Sequence, residues 1–407
     1  MPNSPQQYQI GLEAEGMLRE RNGNLSHGMF TTSFARVSEY ILRAVLLKSG
    51  FSNHLDLFGV SPLNLRPDEK ESFADGRAHY HRLRTHSNAP ILRNILIKHL
   101  RPWLLHSHYP ALVRKLGLDL MVYTNPSIWG EIAVARREVV TTYDYYPERL
   151  NKSARERTQR QIDARKGNLW ISAISDFTAQ DAMELFGLPK DRVRSIPLAV
   201  DHDVYNAVEN SSDCIPRPWD RYKDYVLFIG NFTDRKNIWP LAQAMEAINC
   251  ERKEPVAFVA AGNLTGARWR NRMELRRRFH ALFQKTPYFE LLHPTNEEVA
   301  ALYRGASILG HPATFEGFGF TVLEAMACGC PVACGNHSSL SEVTGGAARY
   351  VPDVHRVSDW TAALTDIMDK PNLKKRLIDE GMLQAQRFQW SRFESETMAL
   401  YHEILKS

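Results

Sequence analysis

Several features of common protein classes are missing from this sequence. Its 407 residues include five cysteines in no paired framework, which argues against a disulfide-rich secreted domain and fits a reducing cytoplasm. No uninterrupted apolar run approaches the roughly 20 residues of a membrane span. The N-terminus, MPNSPQQYQ, has neither a basic start nor an apolar core, so we predict no secretory signal. The net charge of +5 is mild and gives no reason to expect nucleic acid as a partner.

The sequence does have the composition of a globular protein, with 43% hydrophobic and 24% charged residues, and a length sufficient for two domains. Apolar runs alternate with helical patterns in two series, which predicts an α/β protein with parallel sheets. Predicted strands are residues 8–12, 54–60, 118–123, 139–142, 170–174 and 193–197, then 225–229, 256–261 and 306–310. A segment rich in Asn, Ser and Pro, residues 206–220, separates domains at 1–205 and 221–390.

No G-x-G-x-x-G follows the first strand of either series, which argues against a dinucleotide-dependent oxidoreductase. The cluster Cys328, Cys330 and Cys334 does not have the spacing of a zinc site. We predict buried thiols at these three positions.

The segment 311–332, HPATFEGFGFTVLEAMACGCPV, is the predicted active centre. A turn at 317–319 leads into good helix formers, with Thr321 as the expected helix start. The first N–H groups of a helix lack intrahelical partners, and with the helix dipole they suit a phosphate. Glu316 before the turn and Glu324 within the helix can each bind hydroxyls. These features predict a nucleotide-sugar ligand; the alternative is a surface loop with two solvated glutamates.

This segment resembles the donor-binding motif of the retaining GT-B glycosyltransferases of family 4, E-G-F-G-x-x-x-x-E-A-M-A-x-G-x-P-V. The match includes Glu316, Gly317, Phe318, Gly319 and Glu324, and it continues through Ala325, Met326, Ala327, Gly329, Pro331 and Val332. The resemblance implies that Glu316 contacts the donor sugar and that Glu324 contacts the ribose. It also implies that the N–H groups near Phe320 and Thr321 stabilise the leaving phosphate.

Residues 230–237, GNFTDRKN, resemble the G-x-x-x-x-R-K-N segment of the same family. The resemblance assigns the donor phosphates to Lys236, with Arg235 nearby, after the turn at Gly230. Asn231 stands where some relatives have Arg. Gly262 and Asn263 follow the next strand, where the base or ribose is expected to rest.

On the acceptor side the resemblance is looser. Gly28 is the one candidate from the glycine-rich loop that relatives carry near the acceptor. Tyr143 stands where many relatives have His, and with Asp144 it could hydrogen-bond a substrate hydroxyl or simply pack. Asp201 and Asp203 look like the D-x-D metal motif of a different glycosyltransferase fold, but their place after the last strand of the first domain argues against metal binding.

The resemblance implies the GT-B fold: two Rossmann-like domains whose parallel sheets face a central cleft, with the helix 391–407 crossing back to the first domain. The implied reaction is retaining transfer of a hexose, mannose favoured, from GDP-mannose or a UDP-hexose to a glycan or lipid-linked acceptor in polysaccharide or glycoconjugate biosynthesis. No cofactor and no metal is expected. The alternatives are a catalytically silent nucleotide-sugar-binding protein and a GT-B nucleotide-sugar epimerase.

Residues 79–115 contain seven Lys and Arg, no acid and a set of apolar residues around Trp103. One interpretation is an ordinary amphipathic helix, predicted at 91–101, with a basic solvent face. The other is a contact with an anionic membrane surface, where each basic residue can add about 1 kcal/mol. This second interpretation predicts a cytoplasmic enzyme peripheral to the inner face of the membrane.

Overall fold

The computed structural model describes residues 10–13, 37, 40–41, 44–45, 55–59, 78–82, 113–124, 133–165, 167–209, 217–262 and 277–407. By its internal contacts the chain divides into two units. The first contains the described residues through Leu198 together with Ser391–Ser407, and the second spans Ala199–Trp390. The candidate Gly28, the candidate Asn263 and the predicted helix 91–101 lie outside the described residues.

The first unit contains a seven-stranded parallel sheet in the order β3-β2-β1-β4-β5-β6-β7. Its strands are β1 Ile10–Glu13, β2 Leu55–Gly59, β3 Ala78–Arg82, β4 Leu120–Tyr123, β5 Arg137–Thr142, β6 Leu169–Ala173 and β7 Val193–Ser195. Strand β3 was not predicted, because its sequence AHYHR has no apolar run, as an edge strand permits. The first residues of the basic segment 79–115 therefore belong to this sheet.

The helices of the first unit include α1 Tyr146–Leu150, α2 Lys152–Asp163 and α3 Asp176–Phe186. Helix α3 is capped at both ends: the Ser175 hydroxyl accepts a hydrogen bond from the Thr178 N–H at 3.0 Å, and Gly187 ends the helix with φ of 64°. Helix α3 packs its buried face, including Ala182 and Phe186, into the hydrophobic core of this sheet.

The second unit contains a six-stranded parallel sheet in the order β10-β9-β8-β11-β12-β13. Its strands are β8 Tyr225–Ile229, β9 Ala257–Gly262, β10 Tyr288–Leu292, β11 Ile308–His311, β12 Val332–Gly335 and β13 Arg349–Val351. The chain moves outward from β8 to β10, then returns to the other side of β8 and moves outward again. The strand order therefore reverses between β8 and β11, which is where ligands bind in open α/β sheets, beyond the carboxyl ends of the strands.

The helices of the second unit include α4 Ile238–Glu251, α5 Asn296–Gly305, α6 Phe320–Ala327, α7 Leu340–Thr344, α8 Val357–Asp369 and α9 Pro371–Ala385. Helix α5 begins with a capping box, in which Thr295 and Glu298 exchange side-chain-to-backbone hydrogen bonds of 3.2 and 2.7 Å. The predicted start of α6 at Thr321 is wrong: the helix begins at Phe320, after Gly319.

The last helix, α10, spans Trp390–Lys406, and Arg194 of β7 forms an ion pair with its Glu403 at 2.7 Å. The helix begins one residue before the expected 391–407, so Ser391 lies inside its first turn. Within the part of the chain that the structure describes, no helix is long and apolar enough to cross a membrane.

Candidate active site

Two loops of the second unit lie side by side because they follow neighbouring parallel strands. Residues 230–237 follow β8, and residues 312–319 follow β11. The loops are joined directly: the Arg235 carbonyl accepts a hydrogen bond from the Thr314 N–H at 2.9 Å. Asn237, in a left-handed conformation, donates its Nδ2 to the first carbonyl of the second loop at 3.3 Å. The fold therefore brings together residues 80 positions apart in the chain.

The glutamate that opens the motif is at the centre of a charged cluster. Glu316 is 8% exposed, and its Oε1 accepts a hydrogen bond from Lys236 Nζ at 2.5 Å. Arg235 Nη1 lies 3.6 Å from the other carboxylate oxygen, and His311 Nε2 lies 3.3 Å from Oε1. The sequence assigned Lys236, Arg235 and Glu316 each to the ligand, whereas the structure shows them paired with one another.

The charge state of this cluster follows from its surroundings. Burial alone would raise the pKa of Glu316, but the positive charge of Lys236, the contact with His311 and the charge of Arg235 hold it well below its usual range. Burial, with the same two cations, lowers the pKa of His311 against the opposing effect of Glu316. At neutral pH the cluster thus holds two cations, one carboxylate and a neutral imidazole, and its net charge is positive.

The turn itself is held by side chains from the segment before α7. Ser339 Oγ donates to the carbonyls of Glu316 and Phe318 at 2.8 and 2.9 Å, and Ser338 Oγ accepts from the Glu316 N–H at 3.1 Å. Gly319 takes φ of 104°, a conformation that favours glycine, and α6 begins there without a side-chain cap. The start of α6, with Phe320 and Thr321, therefore presents backbone N–H groups rather than a capping side chain.

The second glutamate of the motif lies within α6. Glu324 is 4% exposed, and Tyr303 of α5 donates its hydroxyl to the Glu324 Oε2 at 3.3 Å. Burial, reinforced by the charge of Glu324, raises the pKa of Tyr303 well above its usual value, so its hydroxyl stays a donor. The carboxylate is thereby held by a neighbouring helix.

The ends of β8 and β9 approach each other closely. A Cβ at Gly262, where φ is 132°, would lie 2.8 Å from the Gly230 carbonyl oxygen. The Gly230 N–H in turn donates to the Ala261 carbonyl at 3.0 Å. Asn231, the next residue of the first loop, is exposed. The two glycines predicted to face the nucleotide are therefore in mutual contact at the edge where the two loops begin.

The acceptor-side candidates lie in the first unit, after β5. Tyr143 is buried, and its hydroxyl donates to the Thr124 carbonyl at 3.0 Å, while its own carbonyl accepts from Thr178 at 3.4 Å. Asp144 Oδ1 accepts from the Tyr146 N–H at 3.2 Å and so helps to begin α1. These contacts fit the packing role of Tyr143; a hydrogen bond to a substrate hydroxyl stays a prediction.

The sequence did not identify three residues that now belong to the site: His311, Tyr303 and Ser339. Two of them carried a signal: His311 opens the predicted segment 311–332, and Ser339 lies in SSLSEV, residues 338–343, which resembles the S-S-L-P-E-V of the same family. The prediction of buried thiols is confirmed, since Cys328, Cys330 and Cys334 are free and buried, and burial raises the pKa of each.

Comparison with known proteins finds both sequence relatives and structural neighbours of this chain. The O-antigen chain mannosyltransferase B of Escherichia coli is 27% identical over 266 residues, 65% of this chain and 67% of that protein. For further curated mannosyltransferases the match spans only 27% to 54% of their length. The structure is similar to that of a sucrose-phosphate synthase from Thermosynechococcus elongatus, with a TM-score of 0.71 and 17% identity over 98% of this chain and 99% of that one. It is also similar to the structure of Anabaena HepE in complex with UDP-glucose, with a TM-score of 0.66 and 11% identity. That match covers 97% of this chain and 100% of the HepE chain.

These likenesses show the fold of GT-B glycosyltransferases, with two parallel sheets. Residues 216–384, which contain every donor-side candidate named above, match the family of glycosyl transferases group 1.

Proposed function

We propose that this chain is a retaining hexosyltransferase that moves a sugar, mannose favoured, from a nucleoside diphosphate to a glycan or lipid-linked acceptor. The observation that carries the proposal is the cluster of Glu316 with Lys236 and Arg235 beside the start of α6. A net positive, largely buried cluster next to a helix N-terminus suits a diphosphate, because both attract negative charge.

The cations act on the leaving group in this proposal. Negative charge grows on the diphosphate as the sugar departs, and preorganised donors stabilise that charge. An ammonium group has three N–H donors. Lys236 gives one to Glu316 and can offer others to phosphate oxygens. Since protein groups carry the counter-charge, we propose that no metal and no cofactor is required.

Each of the two carboxylates binds a different part of the donor. Glu316, at the turn, accepts hydrogen bonds from hydroxyls of the sugar, and Glu324, held by Tyr303, accepts them from the ribose. GDP-mannose is the favoured donor because a curated relative is a mannosyltransferase, with a UDP-hexose as the next candidate. We assign the donor to the second unit and the acceptor to the first, where Tyr143 and Asp144 lie.

The basic segment 79–115 leads us to extend the proposal to a cytoplasmic enzyme at the inner face of an anionic membrane, where a lipid-linked acceptor would be met. Sedimentation with anionic vesicles at low salt, for wild type and a variant with Arg93, Lys98 and Arg101 changed to Glu, tests it. Wild type that stays in the supernatant would contradict the membrane part and favour a soluble acceptor.

A panel of nucleotide-sugars tests the donor. Binding to the folded state raises the unfolding temperature with ligand concentration, so the true donor is the one that stabilises at the lowest concentration. Lys236→Ala should abolish that stabilisation, whereas Lys375→Ala, which removes an exposed lysine of α9, should not. Equal stabilisation of both variants by every nucleotide-sugar would contradict the assignment.

Turnover is tested by release of nucleoside diphosphate. If the protein transfers a sugar, nucleoside diphosphate should be released only when an acceptor is present. EDTA should leave that activity unchanged. Loss of activity with EDTA that manganese restores would contradict metal independence. Asp201 and Asp203 would then be the candidate metal ligands. Conversion of the donor to an epimer without acceptor would identify an epimerase, and binding without either reaction would identify a silent binder.

A further inference from the structure

A cavity of about 360 Å³ lies in the first unit, at the edge of the sheet opposite to the one that carries Tyr143. Its lining includes Arg136 and Arg137 at the start of β5, Asn168 before β6, and Arg192 before β7. The three strands are parallel neighbours, so their beginnings meet at one edge. Tyr143 follows the other end of β5, about 20 Å away at the rise of a strand. The cavity is therefore separate from the acceptor-side candidates.

The lining is strongly basic. Arg136, Arg137 and Arg192 line it together with Ser407, and among the described lining residues no side chain is acidic. Two acids approach from outside, Asp119 to Arg136 and Asp191 to Arg192, but each stays 3.9 Å away, beyond hydrogen-bond distance. Among the described residues, no acid lies within hydrogen-bond distance of the guanidinium groups of Arg136 and Arg192.

Arg192 is held in a fixed position. Its guanidinium group stacks over the ring of Trp170, with 4.1 Å between its Cζ and the ring centroid. Its Nη1 is buried and has no hydrogen-bond acceptor among the residues that the structure describes. Arg137, which begins β5, makes no ion pair with any described residue. A buried donor without an acceptor costs free energy. We therefore expect a ligand to supply the acceptor for the Nη1 of Arg192.

We propose that this cavity binds a phosphate ester. Guanidinium groups match phosphate oxygens with pairs of parallel N–H donors, and the Asn168 amide can add a further donor. The volume is at the lower end of small-ligand sites, which suits a phosphoryl group with a small organic substituent. The phosphate can belong to a small metabolite or to the headgroup of a phospholipid. The site does not depend on the sugar-transfer reaction proposed above.

The first arm of the test uses inorganic pyrophosphate as the probe and isothermal titration as the measurement. All proteins carry Lys236→Ala, so that the donor site does not contribute. We expect Arg137→Gln/Arg192→Gln to weaken binding about tenfold or more, as loss of charge-assisted hydrogen bonds implies. The control Arg155→Gln/Arg194→Gln removes two exposed charges from the same unit and should bind as tightly as the parent.

The second arm measures sedimentation with vesicles of phosphatidylglycerol and, separately, phosphatidylcholine. Binding of pyrophosphate that only the cavity variant loses supports the site and indicates a small phosphorylated ligand. Binding of phosphatidylglycerol vesicles alone, again lost only in the cavity variant, supports it and indicates a headgroup. The proposal is overturned if neither probe binds, or if the cavity variant and the control behave alike. Unfolding midpoints of both variants show that the comparison is between folded proteins.

Discussion

Replacing Glu316 by Gln should have opposite effects on nucleotide binding and on turnover. The Glu316 carboxylate forms an ion pair with Lys236 at 2.5 Å and lies 3.6 Å from Arg235. A diphosphate must therefore share or displace that carboxylate to engage the same cations. Glutamine has the same shape without the charge, so the substitution leaves both cations available to the diphosphate.

The size of the effect follows from the contact that is lost. The side chains of Lys236 and Glu316 are 15% and 10% exposed, so water screens the pair only partly. A hydrogen bond to a charged group contributes about 1.5–3 kcal/mol, which corresponds to roughly ten- to hundredfold in Kd. We expect Glu316→Gln to bind nucleoside diphosphate without sugar more tightly, with this range as the upper bound. Turnover should fall by about a hundredfold, because Glu316 acts on the reacting sugar.

The assay is isothermal titration with GDP and UDP, alongside release of nucleoside diphosphate from the donor. Asp366→Asn is the matched control, since Asp366 is likewise a carboxylate paired with one arginine and one lysine, at 2.9 and 2.5 Å. It should change neither quantity. Unchanged or weaker nucleoside diphosphate binding in Glu316→Gln would refute the idea that the carboxylate competes with phosphate for Lys236.

The pH dependence adds a second check. The pKa of Glu316 is lowered in the folded protein, so the stabilisation from its ionised form is complete above its unfolded pKa of about 4.3 and is lost only as the pH falls below that. The difference in affinity between wild type and Glu316→Gln should therefore be constant from neutral to mildly alkaline pH. A difference that titrates in that range would contradict the charge state assigned to Glu316.

Three other predictions concern the scaffold. Glu138→Gln should lower the free energy of unfolding by about 3–5 kcal/mol in denaturant titration, because Arg165 stays buried without its counter-charge; Glu138→Leu/Arg165→Met should recover most of that loss. Gly262→Ala should cost about 1–3 kcal/mol and weaken nucleotide binding in the thermal-shift panel, since its Cβ would meet the Gly230 carbonyl in a strained conformation. Thr295→Ala should cost about 1 kcal/mol through loss of the cap and leave kcat unchanged in the release assay.

Local signals predicted much of the second unit. Strand β8 was predicted with its observed bounds, because an apolar run is a signal that acts over a few neighbouring positions. Strands β3, β10 and β13 were missed, since all three are edge strands, which need no continuous apolar run, and β10 is only partly buried.

The partner of Glu316 could not be read from the sequence. Lys236 and Glu316 were each assigned to a ligand from their own motifs, and nothing local shows that they meet. Their contact depends on β8 and β11 being neighbours, which is a property of the whole sheet. The same applies to Tyr303 and Glu324, which meet only because α5 and α6 pack together.

Because β8 lies in the middle of its sheet, the chain between the two loops of the site can vary in length while the two loops stay next to each other. The chain that leaves at Ile238 and returns at Ile308 forms two further strands on one side, and the strands that close the other side come after the motif. Loops within that excursion can lengthen, shorten or change in composition without altering the spacing of β8 and β11. Sequence drift between Ile238 and Ile308 can therefore reshape what surrounds the nucleotide while the Lys236–Glu316 pair keeps its geometry.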